Sequence, residues 1–259
     1  MKKAVASLLL LATLSLAVEV TIAGSTTVQP LAETLGEAFE AAHSGVAITV
    51  SGGGSSVGVK SAAERTVNIG MASREIKTSE LAEHPTMVVH TIARDGIAIV
   101  AHPACPVAGL TMEQVRAIFE GSINNWSQVG GSSMAITVVA REEGSGTRAA
   151  FEEIVMKDAL ITDMAILQPS NGAVRTTINT TPGTVGFLSF GYLDSSVKAL
   201  AVGGATPTTA HVNDGSYPVV RPLNLVTMGQ PTGAAAQFIN FVFSAEGQAI
   251  VAEDYIPVR

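Results

Sequence analysis

Three short stretches gather hydroxyl and small side chains where they could hold an anion. "GSTT" carries Ser25, Thr26 and Thr27, "GGGSS" carries Ser55 and Ser56, and "REEGSGTR" sets Ser145 and Thr147 between Arg141 and Arg148. Each lies directly before a run with helical spacing. The first turn of a helix leaves N–H groups without intrahelical partners and presents the positive end of the macrodipole, so hydroxyls placed there complete a donor-rich pocket. Gly144 and Gly146 leave the backbone N–H groups of the third loop approachable. A guanidinium adds paired planar donors that a lysine cannot reproduce, which makes Arg141 beside "GSGT" a candidate clamp for a tetrahedral anion. One such loop is ordinarily a capped helix; three, with Arg74, Arg141 and Arg148 near them, argue for a site.

Catalytic readings of the same residues are weaker. Gly54-Ser55-Ser56-Val57-Gly58 matches G-x-S-x-G, which in a hydrolase makes Ser56 the nucleophile, but the histidine must then come from far downstream and only His211 does, in the polar stretch "TTAHVNDG". Gly53 and Gly58 have the glycine spacing of a P-loop, yet Val59 intervenes before Lys60 and Ser61. One residue of shift on a helix turns a side chain by about 100°. His43, His84, His90, His102 and His211 show no metal-binding spacing, and no cofactor is expected. Cys105 stands alone, so it cannot form an internal disulfide, and it reads as a small buried apolar residue.

The elements that must position these loops repeat as strand, loop and helix. Val18 to Ala23 leads through "GSTTVQP" into "LAETLGEAFEAAH", "AITV" through the Gly/Ser loop into "VGVKSAAER", and "AITVVA" through "REEGSGTR" into "AAFEEIVMKDAL". Three such units predict an α/β fold with parallel strands and binding crevices at their carboxyl ends. "TMEQVRAIFEG" reads as a helix with Thr111 as N-cap and Gly121 at its end, and the terminal segment as two helices broken near Ser244.

The 259 residues are 47% hydrophobic and 14% charged, enough for one or two cored domains. The opening "MKKAVASLLLLATLSLAVEV" sets Lys2 and Lys3 before an apolar run and a small-x-small pattern, so residues 1–17 read as an export signal cleaved after Ala17. Losing those two lysines takes the formal charge from −7 to −9. Nucleic acid and anionic lipid are therefore poor partners, and an anion must be held by local donors against an unfavourable overall field. Export without disulfides fits a periplasm or the outer side of the cytoplasmic membrane, and no cysteine near the signal end offers a lipid anchor.

In order and spacing, "AGSTTVQPLAETLGEAFE", "VSGGGSSVGVKSAAERTVNIGMASREIK", "RDGIAIVAHP", "IFEGSINNWSQVGG", "VVAREEGSGTRAAFEE", "PGTVGFLSFGYLD" and "YPVVRPLNLVT" resemble the periplasmic phosphate-binding receptors of ABC phosphate importers. The likeness spans essentially the whole mature chain. It implies a bilobal binding-protein fold, two α/β domains joined by two crossover strands, with inorganic phosphate in the cleft. Lobe I would comprise residues 18–91 and 222–259, and lobe II residues 92–221. By this likeness the phosphate-binding set is Ser25, Thr26, Thr27, Ser55, Ser73, Arg74, Arg141, Ser145, Gly146 and Thr147. It implies no catalysis, a monomer, and a partner permease with its ATPase subunits. Some members carry an aspartate in the segment matching "GMASREI", where it accepts the proton of hydrogen phosphate and rejects sulfate. Here Arg74 follows Ser73, and an arginine can only donate. Glu142 and Glu143 are candidate acceptors; receptors for sulfate or molybdate, or a secreted phosphatase or serine hydrolase using Ser56, remain alternatives.

Overall fold

The computed structural model describes residues 17–258, so the expected export signal lies, apart from Ala17, outside the described residues. The chain begins with β1 (Val18–Gly24), α1 (Gln29–Ala42), β2 (Val46–Gly53), α2 (Ser55–Ala63), β3 (Ile69–Ala72), α3 (Thr78–Glu83) and the long β4 (Met87–Ala101). It continues through β5 (Gly109–Leu110), α4 (Met112–Glu120), β6 (Thr137–Arg141), α5 (Gly146–Phe151), β7 (Ile166–Gln168), α6 (Asn171–Thr180), β8 (Thr184–Ser189), β9 (Lys198–Val202) and α7 (Thr209–Asn213). The last elements are β10 (Val220–Met228), α8 (Gly233–Val242), α9 (Ala245–Asp254) and β11 (Ile256–Pro257).

The strands follow the order β2-β1-β3-β10-β4-β8-β6-β7. The three strand–loop–helix units are β1–α1, β2–α2 and β6–α5; β1 runs parallel to β2 and β3, and β6 parallel to β7 and β8. The sheet as a whole is mixed, because β10 runs antiparallel to β3 and β4, and β4 antiparallel to β8 and β9. Parallel neighbours need a crossover helix between them, whereas β4 and β10 pass directly from one half of the molecule to the other and pair head to tail. Along β4, Met87 to Gly96 pairs with β10 and Ile97 to Ala101 with β8.

Two cores flank that change of partner. On one side Leu31, Leu35 and Phe39 of α1, four residues apart, form a buried stripe against Ile22, Ile69, Ile92 and Leu225. Phe39 meets Phe238 of α8 edge-on, with ring centroids 5.6 Å apart. Each such side chain contributes about 1.5–3 kcal/mol by burial. On the other side Phe119, Phe151 and Phe187 pack with centroids 4.2 to 5.6 Å apart, among Ile97, Ile99, Val115 and Leu200. Helix α4 has the expected ends: Thr111 Oγ1 accepts from Gln114 N, and Gly121 takes φ 95°. Ser244 separates α8 from α9, its hydroxyl accepting from Gly247 N. The helix expected over "AAFEEIVMKDAL" stops sooner: after Phe151 it widens into a π turn over Glu152–Met156 and ends where Lys157 takes φ 56°.

Candidate functional site

The three loops are locked by their own backbones before any side chain enters the cleft. Gly54 N donates to Gly24 O at 2.8 Å and Ser25 N to Met71 O at 3.0 Å, which binds the first two loops to β3. Gly58 is required here, since a Cβ on it would collide with Met71 O and lie 2.8 Å from Ala23 O. Ser25 Oγ accepts from Thr27 N at 3.2 Å and Val28 N at 3.4 Å, folding the chain into α1. Ser55 Oγ accepts from Ser73 N at 3.0 Å, and Ser145 Oγ caps α5 by accepting from Arg148 N at 3.2 Å.

The third loop then closes over the other two. Ser56 N donates to Gly144 O at 3.1 Å, Thr27 Oγ1 lies 3.2 Å from Thr147 Oγ1, and Arg141 Nη2 lies 3.4 Å from Thr26 Oγ1. Tyr192 adds a bond from its hydroxyl to Thr26 O at 2.7 Å. Gly146 fits because it has no Cβ: one built there would overlap Ser55 Oγ and come within 2.7 Å of Ser73 Oγ. Nine of the ten residues expected from the sequence thus meet in one ring: Ser25, Thr26, Thr27, Ser55, Ser73, Arg141, Ser145, Gly146 and Thr147. Apart from half-buried Thr26, its side chains are at most 5% exposed.

Arg74 is the exception. Its guanidinium turns away from the ring and forms a two-pronged pair with Glu80, Nη1 to Oε2 at 2.8 Å and Nη2 to Oε1 at 2.7 Å. Glu80 lies six residues on, at the start of α3, and also accepts from Lys77 N, so local geometry claims the arginine before the cleft can. Arg148 is likewise engaged, with Glu152 and with Arg141 O. Glu142 and Glu143 point to solvent. Ser56 Oγ has Arg74 Nη2 at 3.5 Å, whereas His211 Nδ1, in the short α7, is held by Thr206 and Thr208 just before that helix. Lys60 is exposed and faces Glu64 at 3.7 Å.

The cationic groups of the ring are Arg141 and a residue the sequence reading missed, Arg221. Arg141 gives Nε to Gln168 O and Nη2 to Pro169 O, while its Nη1 is buried without a hydrogen-bond partner among the described residues. Burial first, and repulsion from Arg221 second, lower its pKa to about 10. Arg221 reaches Thr27 Oγ1 at 3.2 Å, Ser73 O at 3.1 Å and Ser73 Oγ at 3.3 Å. It is paired with Asp95, whose carboxyl burial pushes upward in pKa while Arg221 pulls it down. Asn171 Nδ2 donates to Thr27 Oγ1 at 2.9 Å, and Tyr255 OH to Thr27 O at 2.9 Å. In sequence Asp95 and Arg221 lie 126 residues apart, next to the two expected crossings between lobes; only the β4–β10 register, which sets Arg221 opposite Asp95, brings them together. A hollow at the outer lip, lined by Ser56, Arg74, Lys77, Gly144, Ser145 and Arg148, opens beside the ring.

The PBP superfamily domain matches residues 12–246. The phosphate-binding protein PstS of Bacillus subtilis is 34% identical over 241 residues, covering 92% of this chain and 80% of the relative. A solved structure of a putative phosphate ABC transporter substrate-binding protein with bound phosphate, from Clostridium perfringens, superposes with a TM-score of 0.89 at 39% identity, covering 93% of this chain and 100% of that one. An ABC-type phosphate transport receptor from Vibrio cholerae superposes with a TM-score of 0.77 at 34% identity, over 92% of this chain and 99% of that one.

Proposed function

Since the chain belongs to the PBP superfamily, among its phosphate-binding proteins, we propose that it captures inorganic phosphate in the ring of Thr26, Thr27, Ser55, Ser73, Arg141, Ser145, Gly146 and Thr147 and delivers it to an ABC importer. The protein acts as a receptor and performs no chemistry on its ligand. The observation that carries this reading is Arg141 Nη1, a buried guanidinium N–H without an acceptor among the described residues, in a ring made almost wholly of donors. A lone buried cation is costly, and a tetrahedral anion supplies both the charge and the lone pairs it lacks. Ser25 serves the ring from behind, through its bond to Ser73 Oγ.

Capture proceeds by closure. Residues 18–91 with 222–259 form one lobe and residues 92–221 the other, and they swing about the β4 and β10 crossings. The bonds Ser56 N to Gly144 O and Tyr192 OH to Thr26 O join the two and support this reading. Closure removes water, which strengthens each hydrogen bond to the anion. The first 17 residues direct export, the mature protein works as a monomer on the outer side of the cytoplasmic membrane, and a permease with its ATPase subunits receives the phosphate.

Calorimetric titration of the ligand-stripped mature protein with phosphate tests this. One-to-one binding that is lost in Arg141→Ala is expected; no heat with phosphate would sink the proposal.

A further inference from the structure

A hydroxyl has one proton to give and two lone pairs to receive with. In Thr27 both lone pairs are taken. Its Oγ1 accepts from Asn171 Nδ2 at 2.9 Å and from Arg221 Nη2 at 3.2 Å, and neither nitrogen can accept in return. The amide orientation of Asn171 is set by its Oδ1, which accepts from Ser189 N at 3.3 Å. Thr27 can therefore only donate, here toward Thr147 Oγ1. Ser73 is in the same position. Its Oγ accepts from Arg221 Nη1 at 3.3 Å and from Ser25 Oγ at 2.9 Å; Ser25 accepts two backbone N–H groups and so must donate onward. The proton of Ser73 is left for Ser55 Oγ, 3.4 Å away, which also accepts from Ser73 N. Ser55 in turn has only its proton to offer.

We infer that Arg221 and Asn171 are positioning residues that make Thr27 and, through Ser73, whose own proton goes to Ser55, the Ser55 hydroxyl donor-only, so that Thr27 and Ser55 recognise a tetrahedral anion by its unprotonated oxygens. This rests on the proposed anion-binding reading and deepens it. A P–OH group of hydrogen phosphate finds no acceptor among these three hydroxyls. Withdrawing one of the donors behind Thr27 frees a lone pair that can accept P–OH, and that lone pair gains nothing from sulfate, which carries no proton. The variant thus shifts preference toward phosphate even as it weakens the site.

The test is calorimetric titration of the wild type and Asn171→Ala with phosphate and with sulfate, in mildly alkaline buffer where phosphate carries one proton; weak sulfate binding is read by displacement of phosphate. The phosphate-to-sulfate affinity ratio is expected to rise about three- to tenfold in Asn171→Ala, the yield of one neutral hydrogen bond. A merely structural role for Asn171 lowers both affinities alike. A second variant combines Arg221→Gln with Asp95→Asn, so that no buried charge loses its partner, and its ratio moves in the same direction. An unmoved ratio in both variants overturns the inference, as does a wild type from which a large excess of sulfate displaces no phosphate, because an acceptor would then already read the proton. A wild type that binds neither anion defeats the phosphate reading itself, and this inference with it.

Discussion

Arg221 and Asp95 face one another across β10 and β4, with Nη2 2.8 Å and Nε 3.0 Å from the same carboxylate oxygen. Both are almost wholly buried, and the pair sits where β4 leaves one core for the other. Removing one partner strands the other charge in a place that water does not reach. Asp95→Asn or Arg221→Gln is expected to cost about 3–5 kcal/mol of folding stability, and the two combined less than the sum of the single changes. Urea denaturation of the four proteins gives the answer; strictly additive losses would show that the two side chains do not act as a pair.

Arg141 is buried in the ring, and its Nη1 has no acceptor among the described residues. Arg141→Ala is expected to weaken phosphate about 100-fold or more, the loss of two charge-assisted bonds, and Arg141→Lys to recover only part of it because an ammonium lacks the planar fork. The pH dependence follows from the depressed pKa of about 10. In the proposed site phosphate pairs with the protonated guanidinium, so affinity is expected to hold below that pH and to fall as pH rises through it. A titration series extending to strongly alkaline buffer checks this; a flat profile there would contradict it.

Gly146→Ala places a methyl group against Ser55 Oγ and Ser73 Oγ, where the third loop meets the second. The expected result is loss of phosphate binding with a thermal midpoint close to that of the unliganded wild type, since the methyl obstructs closure and disturbs neither core. Normal affinity in this variant would mean that the loops do not need to approach this closely.

Tyr192 spans the cleft with one hydrogen bond to the backbone of the first loop. Tyr192→Phe keeps the ring and deletes that bond, which is worth about 0.5–1.5 kcal/mol. Phosphate should dissociate roughly two- to tenfold faster, with its association rate little changed. Stopped-flow release measurements decide it, and an unaltered release rate would remove Tyr192 from the closing machinery.

Glu80 holds the Arg74 guanidinium in a two-pronged pair. Burial raises the pKa of its carboxyl, but the bonds from Arg74 and Lys77 outweigh that and leave it below the ordinary value. A lowered folded-state pKa contributes stability above the unfolded pKa and loses it as pH falls through the folded one. The stability gap between wild type and Glu80→Gln should accordingly be about 1–3 kcal/mol near neutrality and vanish in acid. A gap independent of pH would show that the charge on Glu80 is not what holds Arg74.

The sequence alone determined the local units and most of the ring. Hydroxyls and glycines next to helical spacing specify where a strand turns into a helix, and the chemistry of a helix start follows from backbone geometry within a few residues, so Thr27, Ser55, Arg141 and Thr147 were legible. Thr111, Gly121 and Ser244 marked helix ends for the same reason. Only the tertiary structure decided what lies behind the ring. Asp95 and Arg221 are 126 residues apart, and Asn171 and Thr27 are 144 apart. Their meeting depends on strand register and on how distant loops pack together, which no local pattern encodes. Arg74 shows the converse, since proximity in sequence to a site residue says nothing of where a long, flexible side chain points once a nearer carboxylate competes for it.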